Sequence, residues 1–165
     1  MAAAPEREPV IAYVGLGANL GDAAPAVLGA IDGIARLPLT AVTARSSLYR
    51  SAPVDAAGPD YVNAVIELRT GLNAFELLLQ LQQLERGAGR TRPYRHAPRT
   101  LDLDLLLFGS ASIASARLTL PHPRMVERAF VLLPLAEIAP HRVEAHALSA
   151  VRSQVIARLE PSARD

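Results

Sequence analysis

The order of elements predicts an α+β fold: a βαββαβ core with a mainly antiparallel sheet, helices packed on it, and a C-terminal helical extension. Three observations carry that prediction. Runs rich in β-formers, bounded by glycine or proline, are interrupted by two stretches of helical periodicity, in the order strand, helix, strand, strand, helix, strand. The 165 residues are enough for one domain, 1–165, with residues 1–9 expected as a disordered tail. Half of the residues are hydrophobic, so a real core can be buried.

Residues 10–16 (VIAYVGL) read as a buried strand stopping at Gly15 and Gly17. Asp22 can cap a helix over residues 22–36, with Pro25 in its first turn and Val27, Ile31 and Ile34 on one face. Pro38 ends it, and residues 39–49 alternate as a second strand. Residues 51–60 form a Pro/Gly loop, and residues 61–70 (YVNAVIELRT) a third strand antiparallel to the second. Asn73 caps a helix over residues 74–85 or slightly beyond, ended by Gly87 and Gly89. A basic loop over residues 90–99 leads into a fourth strand, residues 100–108 (TLDLDLLLF). A short helix is expected at residues 125–130 and a final one at 147–159. This is the split βαβ order of ferredoxin-like folds.

Composition excludes several chemistries. The chain has 17 basic residues, all arginine, and no cysteine. Without lysine there is no Gly-Lys-Ser/Thr phosphate loop and no Schiff base. Without cysteine there is no thiol nucleophile, disulfide or Cys-based metal site. A net charge of +1 argues against general nucleic-acid binding. No apolar run approaches a membrane span or a signal peptide, so the expected setting is the cytoplasm.

Residues 86–99 hold Arg86, Arg90, Arg92, Arg95 and Arg99 without one acid, and the segment ends at Asp102 and Asp104. On a strand those two carboxylates share a face at ~6.5–7 Å, with Leu101, Leu103 and Leu105 turned into the core. Adjacent carboxylates repel unless a cation lies between them, and Mg²⁺ with phosphate oxygens suits such a pair. The bland alternative is one aspartate in a salt bridge to a loop arginine and the other exposed. Gly15, Gly17 and Gly21 are spaced one residue too long for a dinucleotide fingerprint and are read as shaping a strand-to-loop turn. His122, between two prolines, is either a ligand contact or a loop residue. Asp-x-Asp also suits a nucleotidyl or glycosyl transferase. An RNA-binding module is disfavoured by the 4% aromatic content.

The stretch RTRPYRHAPRTLDLDLLLFG, with GLGANLGD at 15–22, SSLYRSAPV at 46–54, PDYVNAVIEL at 59–68 and LTLPHPRMVERAFVLLPLAEIAP at 118–140, resembles the 6-hydroxymethyl-7,8-dihydropterin pyrophosphokinase family over nearly the whole chain. The resemblance implies a ferredoxin-like fold and transfer of the β,γ-pyrophosphoryl unit of ATP to the pterin hydroxymethyl oxygen, leaving AMP. It implies two Mg²⁺ ions held by Asp102 and Asp104, and catalytic roles for Arg90 and Arg99. Arg92, His122 and Arg128 match further phosphate contacts, and Gln82 and Glu85 match positions beside the nucleotide. Tyr61, Asn63 and Phe130 match the pterin pocket, with the backbone of Ser51, Ala52, Pro53 and Val54 along the pterin's polar edge. His96 stands where the family carries an aromatic lid residue. The implied partners are ATP and the pterin alone, with no nucleic acid or membrane, for a monomeric enzyme.

Overall fold

The computed structural model describes residues 8–19, 23–52, 60–89 and 101–159. The first strand, β1 (Val10–Ala18), runs on through Gly15 and Gly17, because it is flanked by a ladder partner on each side as far as Gly17. Helix α1 (Ala23–Ala35) buries Val27, Ala30, Ile31 and Ile34 on one stripe. The second predicted strand is two short ones, β2 (Thr40–Arg45) and β3 (Tyr49–Ser51), both pairing with β4 (Tyr61–Thr70). Helix α2 (Ala74–Gly89) opens on a reciprocal cap. The Glu76 amide donates to Asn73 Oδ1 and the Asn73 amide to Glu76 Oε1, each at 2.8 Å. The helix runs past Gly87 to Gly89, the second of the two glycines expected to end it; a glycine at 87 costs about 1 kcal/mol, too little to break a packed helix.

Strand β5 (Asp102–Phe108) and the hairpin of β6 (Ile113–Ala114) and β7 (Thr119–Leu120) follow. The expected short helix at 125–130 is a 3-10 turn, Met125–Glu127, and then a longer helix, α3 (Ala129–Ile138). The expected final helix at 147–159 is also corrected: α4 (Ala145–Val151) ends early and β8 (Ile156–Arg158) pairs with β3. The cause lies in tertiary bonds. Gln154 turns its amide to the start of α3, accepting from the Ala129 N–H at 2.9 Å and donating to the Glu127 carbonyl at 2.8 Å. The chain beyond it is drawn along β3, and the Leu159 amide donates to the Leu48 carbonyl.

The sheet runs β5-β1-β4-β3-β8, with β2 also on β4, and every pairing is antiparallel. The βαββαβ core therefore has the ferredoxin-like arrangement. One face is covered by α1 and α2, whose Ile31, Ile34, Leu77 and Leu81 are fully buried against Val14, Leu68, Leu103 and Leu105. Each such side chain contributes about 1.5–3 kcal/mol. The other face carries α3, with Val131 and Leu135 against Tyr13, Val65, Leu106 and Leu107. A β-bulge in the β1–β5 ladder skips Leu106, so Leu106 and Leu107 both serve this second core.

One carboxylate fastens α3 to the strands. Glu137 accepts from the Ser47 amide at 3.0 Å, the Ser47 hydroxyl at 2.9 Å and the Tyr49 hydroxyl at 2.7 Å, with Arg158 at 3.8 Å. Burial raises the Glu137 pKa, but the bonds from Tyr49 and Ser47 and the charge of Arg158 outweigh it and hold the group below its ordinary value. Tyr49 is pushed up to about 12, by burial and by this carboxylate. Since folding lowers the Glu137 pKa, its contribution is complete above the unfolded carboxyl range and is lost as pH falls through the folded value. Glu137→Gln should destabilise the protein by about 1–3 kcal/mol at pH 7, several degrees in Tm. The gap to wild type should shrink on acidification; an equal gap at pH 3 and pH 7 would show that the charge is not what matters.

Candidate active site

The alternation in β5 puts Leu101, Leu103 and Leu105 into the α1/α2 core and leaves Asp102 and Asp104 half-buried on the opposite, α3-facing side. In the ladder, Asp104 lies opposite Gly15 and Asp102 opposite Gly17, and Gly17 in turn lies opposite Asn63 of β4. Directly paired residues project to one face. Asp102, Gly17 and Asn63 therefore form one row across the sheet, and the residue between the carboxylate and the amide has no side chain.

The two glycines do more than the turn read from sequence. Neither lies in the left-handed region, so backbone strain does not call for them; space does at Gly17, and not at Gly15. A Cβ on Gly17 would stand 3.2 Å from Asn63 Oδ1 and 4.0 Å from the Tyr61 ring, and one on Gly15 would touch Leu106 at 3.5 Å. Gly17 leaves a bare strip between Asp102 of β5 and Asn63 of β4. Sequence reading missed this role, although glycine at i and i+2 inside a strand signals a close approach.

On the far side of the strip, Asn63 is almost fully buried and donates from Nδ2 to Ser51 Oγ at 2.7 Å. Tyr61 is half-buried and pairs with Ser51. Ala52 is exposed at the end of β3.

On the near side, the His122 amide donates to the Leu106 carbonyl at 2.9 Å, which fixes His122 to β5 beside Asp104. The Arg124 amide donates to His122 Nδ1 at 3.2 Å, so in the neutral ring the proton is on Nε2. Burial lowers the His122 pKa, the Asp104 charge opposes this, and Arg128 and Arg124 lower it again, giving a net fall. Arg128 sits just before α3, with its guanidinium carbon 5.4 Å from the centre of the Phe130 ring. Phe130, in the first turn of α3, packs against the second core and is half-buried.

Gln82 and Glu85 lie one turn apart on α2 and are half-buried. The Glu85 carboxylate accepts the Leu103 amide at 2.7 Å. Thus the described candidates Asp102, Asp104, Ser51, Tyr61, Asn63, His122, Arg128 and Phe130 are brought to one face of the sheet, and Glu85 reaches its edge from the other layer. Arg90, Arg92, Arg99, His96, Pro53 and Val54 lie outside the described residues. A cavity of about 600 Å³ opens behind His122 between Leu107, Met125, Leu132 and Ala147, but no other candidate lines it.

Chemically, the face offers a carboxylate pair suited to a hard cation, cationic groups suited to phosphate, and a buried amide with aromatic rings suited to a planar heterocycle. The chain matches the 7,8-dihydro-6-hydroxymethylpterin-pyrophosphokinase family over residues 13–140. It is 46% identical over 147 residues to a 2-amino-4-hydroxy-6-hydroxymethyldihydropteridine pyrophosphokinase of Bacillus subtilis, covering 87% of this chain and 86% of that protein. It is 47% identical over 129 residues to the protein of the same name from Pseudomonas aeruginosa, covering 78% and 80%. A crystal structure of Plasmodium falciparum HPPK-DHPS, with pterin and p-hydroxybenzoate, shares the fold at a TM-score of 0.65 and 14% identity. That match covers 84% of this chain and 41% of the longer one.

Proposed function

Because the chain belongs to the 7,8-dihydro-6-hydroxymethylpterin-pyrophosphokinase family, its activity is pyrophosphoryl transfer from ATP to hydroxymethyldihydropterin in folate biosynthesis, and we propose that the face carrying Asp102, Gly17 and Asn63 is where it happens. The observation that carries this is the single register row: an acidic group for the phosphate end, an empty residue, and a buried amide for the heterocycle.

The donor set fits magnesium. Among the described residues no group of three or more His, Cys, Asp or Glu could enclose an ion. Two carboxylates leave most of an octahedron to water and phosphate oxygens, which is the habit of Mg²⁺. Asp102 and Asp104 would hold it, as two ions, and the metal would supply charge neutralisation on the triphosphate. Arg90 and Arg99 stabilise charge on the transferred oxygens, and Arg92, His122 and Arg128 hold phosphates, His122 by donating from Nε2. Gln82 and Glu85 lie toward the nucleotide. Phe130 stacks on the pterin; Tyr61, Asn63, the backbone of Ser51, Ala52, Pro53 and Val54, and His96 border it. The pterin hydroxymethyl oxygen bonds to the β-phosphorus, the bond from that phosphorus to the α,β-bridging oxygen breaks, and AMP leaves; the hydroxyl proton passes to solvent. The chain's part is to align the two substrates and exclude water. On this reading residues 1–165 are one pyrophosphokinase domain, working as a cytoplasmic monomer on two small molecules.

The test is product analysis with ATP, Mg²⁺ and hydroxymethyl-dihydropterin. AMP and the pterin diphosphate should appear in equal amounts, and EDTA should stop both. Free pyrophosphate or a nucleoside diphosphate as product would overturn the reaction, and undiminished turnover in EDTA would remove the metal from the scheme.

A further inference from the structure

The acidic pair sits at the weakest point of the ladder that carries it. Among the described residues, strand β5 is the outermost strand of the sheet, paired on one side only, and Gly17–Asp102 is the last pair of its register with β1. In an antiparallel ladder alternate residues turn their N–H and C=O toward the partner. The Leu103 amide is one that turns outward, off the edge of the sheet, and it is there that Glu85 accepts it at 2.7 Å. Leu103 lies between Asp102 and Asp104, and its side chain is buried in the core beneath α2. The carboxylate therefore grips the backbone at the midpoint of the acidic pair. A carboxylate can only accept, so the sense of this bond is unambiguous.

We propose that Glu85 is a positioning residue for the acidic pair: by holding the Leu103 amide it keeps the open end of β5 from fraying and fixes both aspartates on one face, ready for the cation. This rests on the reading of Asp102 and Asp104 as magnesium ligands. It differs from a direct contact of Glu85 with the nucleotide, because what matters is an acceptor at the strand edge and not a negative charge. Partners that orient a metal-binding group in this way typically change affinity or activity 10–100-fold when removed.

Four variants separate the possibilities. Glu85→Gln retains an acceptor oxygen and loses the charge; Glu85→Ala loses both. In the metal-free protein, hydrogen exchange of the Leu103 amide should speed up at least about tenfold in Glu85→Ala and stay near wild type in Glu85→Gln. The Mg²⁺ concentration for half-maximal velocity should rise about 10–100-fold in Glu85→Ala and only a few-fold in Glu85→Gln. Adding Glu85→Ala to Asp102→Asn should cost less than Glu85→Ala costs in the wild type, because one of the two ligands it positions is already gone. Equal damage from Gln and Ala, or unchanged Leu103 exchange in Glu85→Ala, overturns the proposal. Near-normal Mg²⁺-dependent turnover in Asp102→Asn would instead overturn the ligand assignment on which it stands, so the two failures are told apart.

Discussion

Asp102→Asn and Asp104→Asn should each lower the rate of AMP release by about 10²–10⁴-fold. A bound metal stabilises charge in phosphoryl transfer by several kcal/mol, and each 1.36 kcal/mol is tenfold in rate. Asparagine has the same size and keeps one oxygen, so the cost falls on metal holding and not on packing. The free Asp104→Asn protein should not be destabilised, because that side chain is half-buried on the α3 side while its neighbours Leu103 and Leu105 carry the core contacts. Removing one of two like charges relieves repulsion in the absence of metal. Thermal melting with and without Mg²⁺ checks this: the metal-free Tm should be equal or slightly higher than wild type. Either variant with AMP release within a few-fold of wild type would falsify the assignment.

Gly17→Val should raise KM for the pterin about 10–100-fold while leaving binding of ATP alone unchanged. The backbone accepts the substitution, since Gly17 has an ordinary strand conformation and a β-branched residue suits a strand. The side chain would meet Asn63 Oδ1 at 3.2 Å with its first atom and fill the strip with its methyl groups. Forced overpacking of this kind costs about 1–3 kcal/mol, which falls on the ligand that needs the space. Gly15→Ala is the control: its added atom makes only an ordinary 3.5 Å contact with Leu106. Substrate titration at saturating ATP decides the matter, and an unchanged pterin KM in Gly17→Val would mean the strip is not where the heterocycle lies.

Some of this was legible in the sequence because local chemistry and tertiary context agree. Strand β4 has the bounds that its composition predicts, Asn73 caps α2 as expected, and the leucines and aspartates of β5 separate by strict alternation. Helix α3 was underestimated for a physical reason. It lies between the sheet and α4, with Val131 and Leu135 buried on one side and Ala129 and Leu132 on the other, so it is apolar nearly all round and shows no stripe. Pro134 in its middle is a further misleading signal. Local sequence favours helix at β8, because its three residues extend only through bonds to distant partners. The glycines of β1 spoke ambiguously: a missing side chain has meaning only once the atoms across from it are placed. The family resemblance implies a place beside the nucleotide for Glu85, and nothing in its sequence surroundings points to the Leu103 amide. Arg90, Arg92 and Arg99 rest on the family resemblance and on the charge of their segment.

Glu137 lies seven residues along α3 from Phe130, about 10 Å by helical rise, and its partners Ser47 and Tyr49 lead directly into Ser51, which holds Asn63. One ionised group thus ties the helix that carries Phe130 to the strand that carries Ser51. On the proposed reading of the site, the two walls of the pterin slot are joined by a clasp that lies outside the slot.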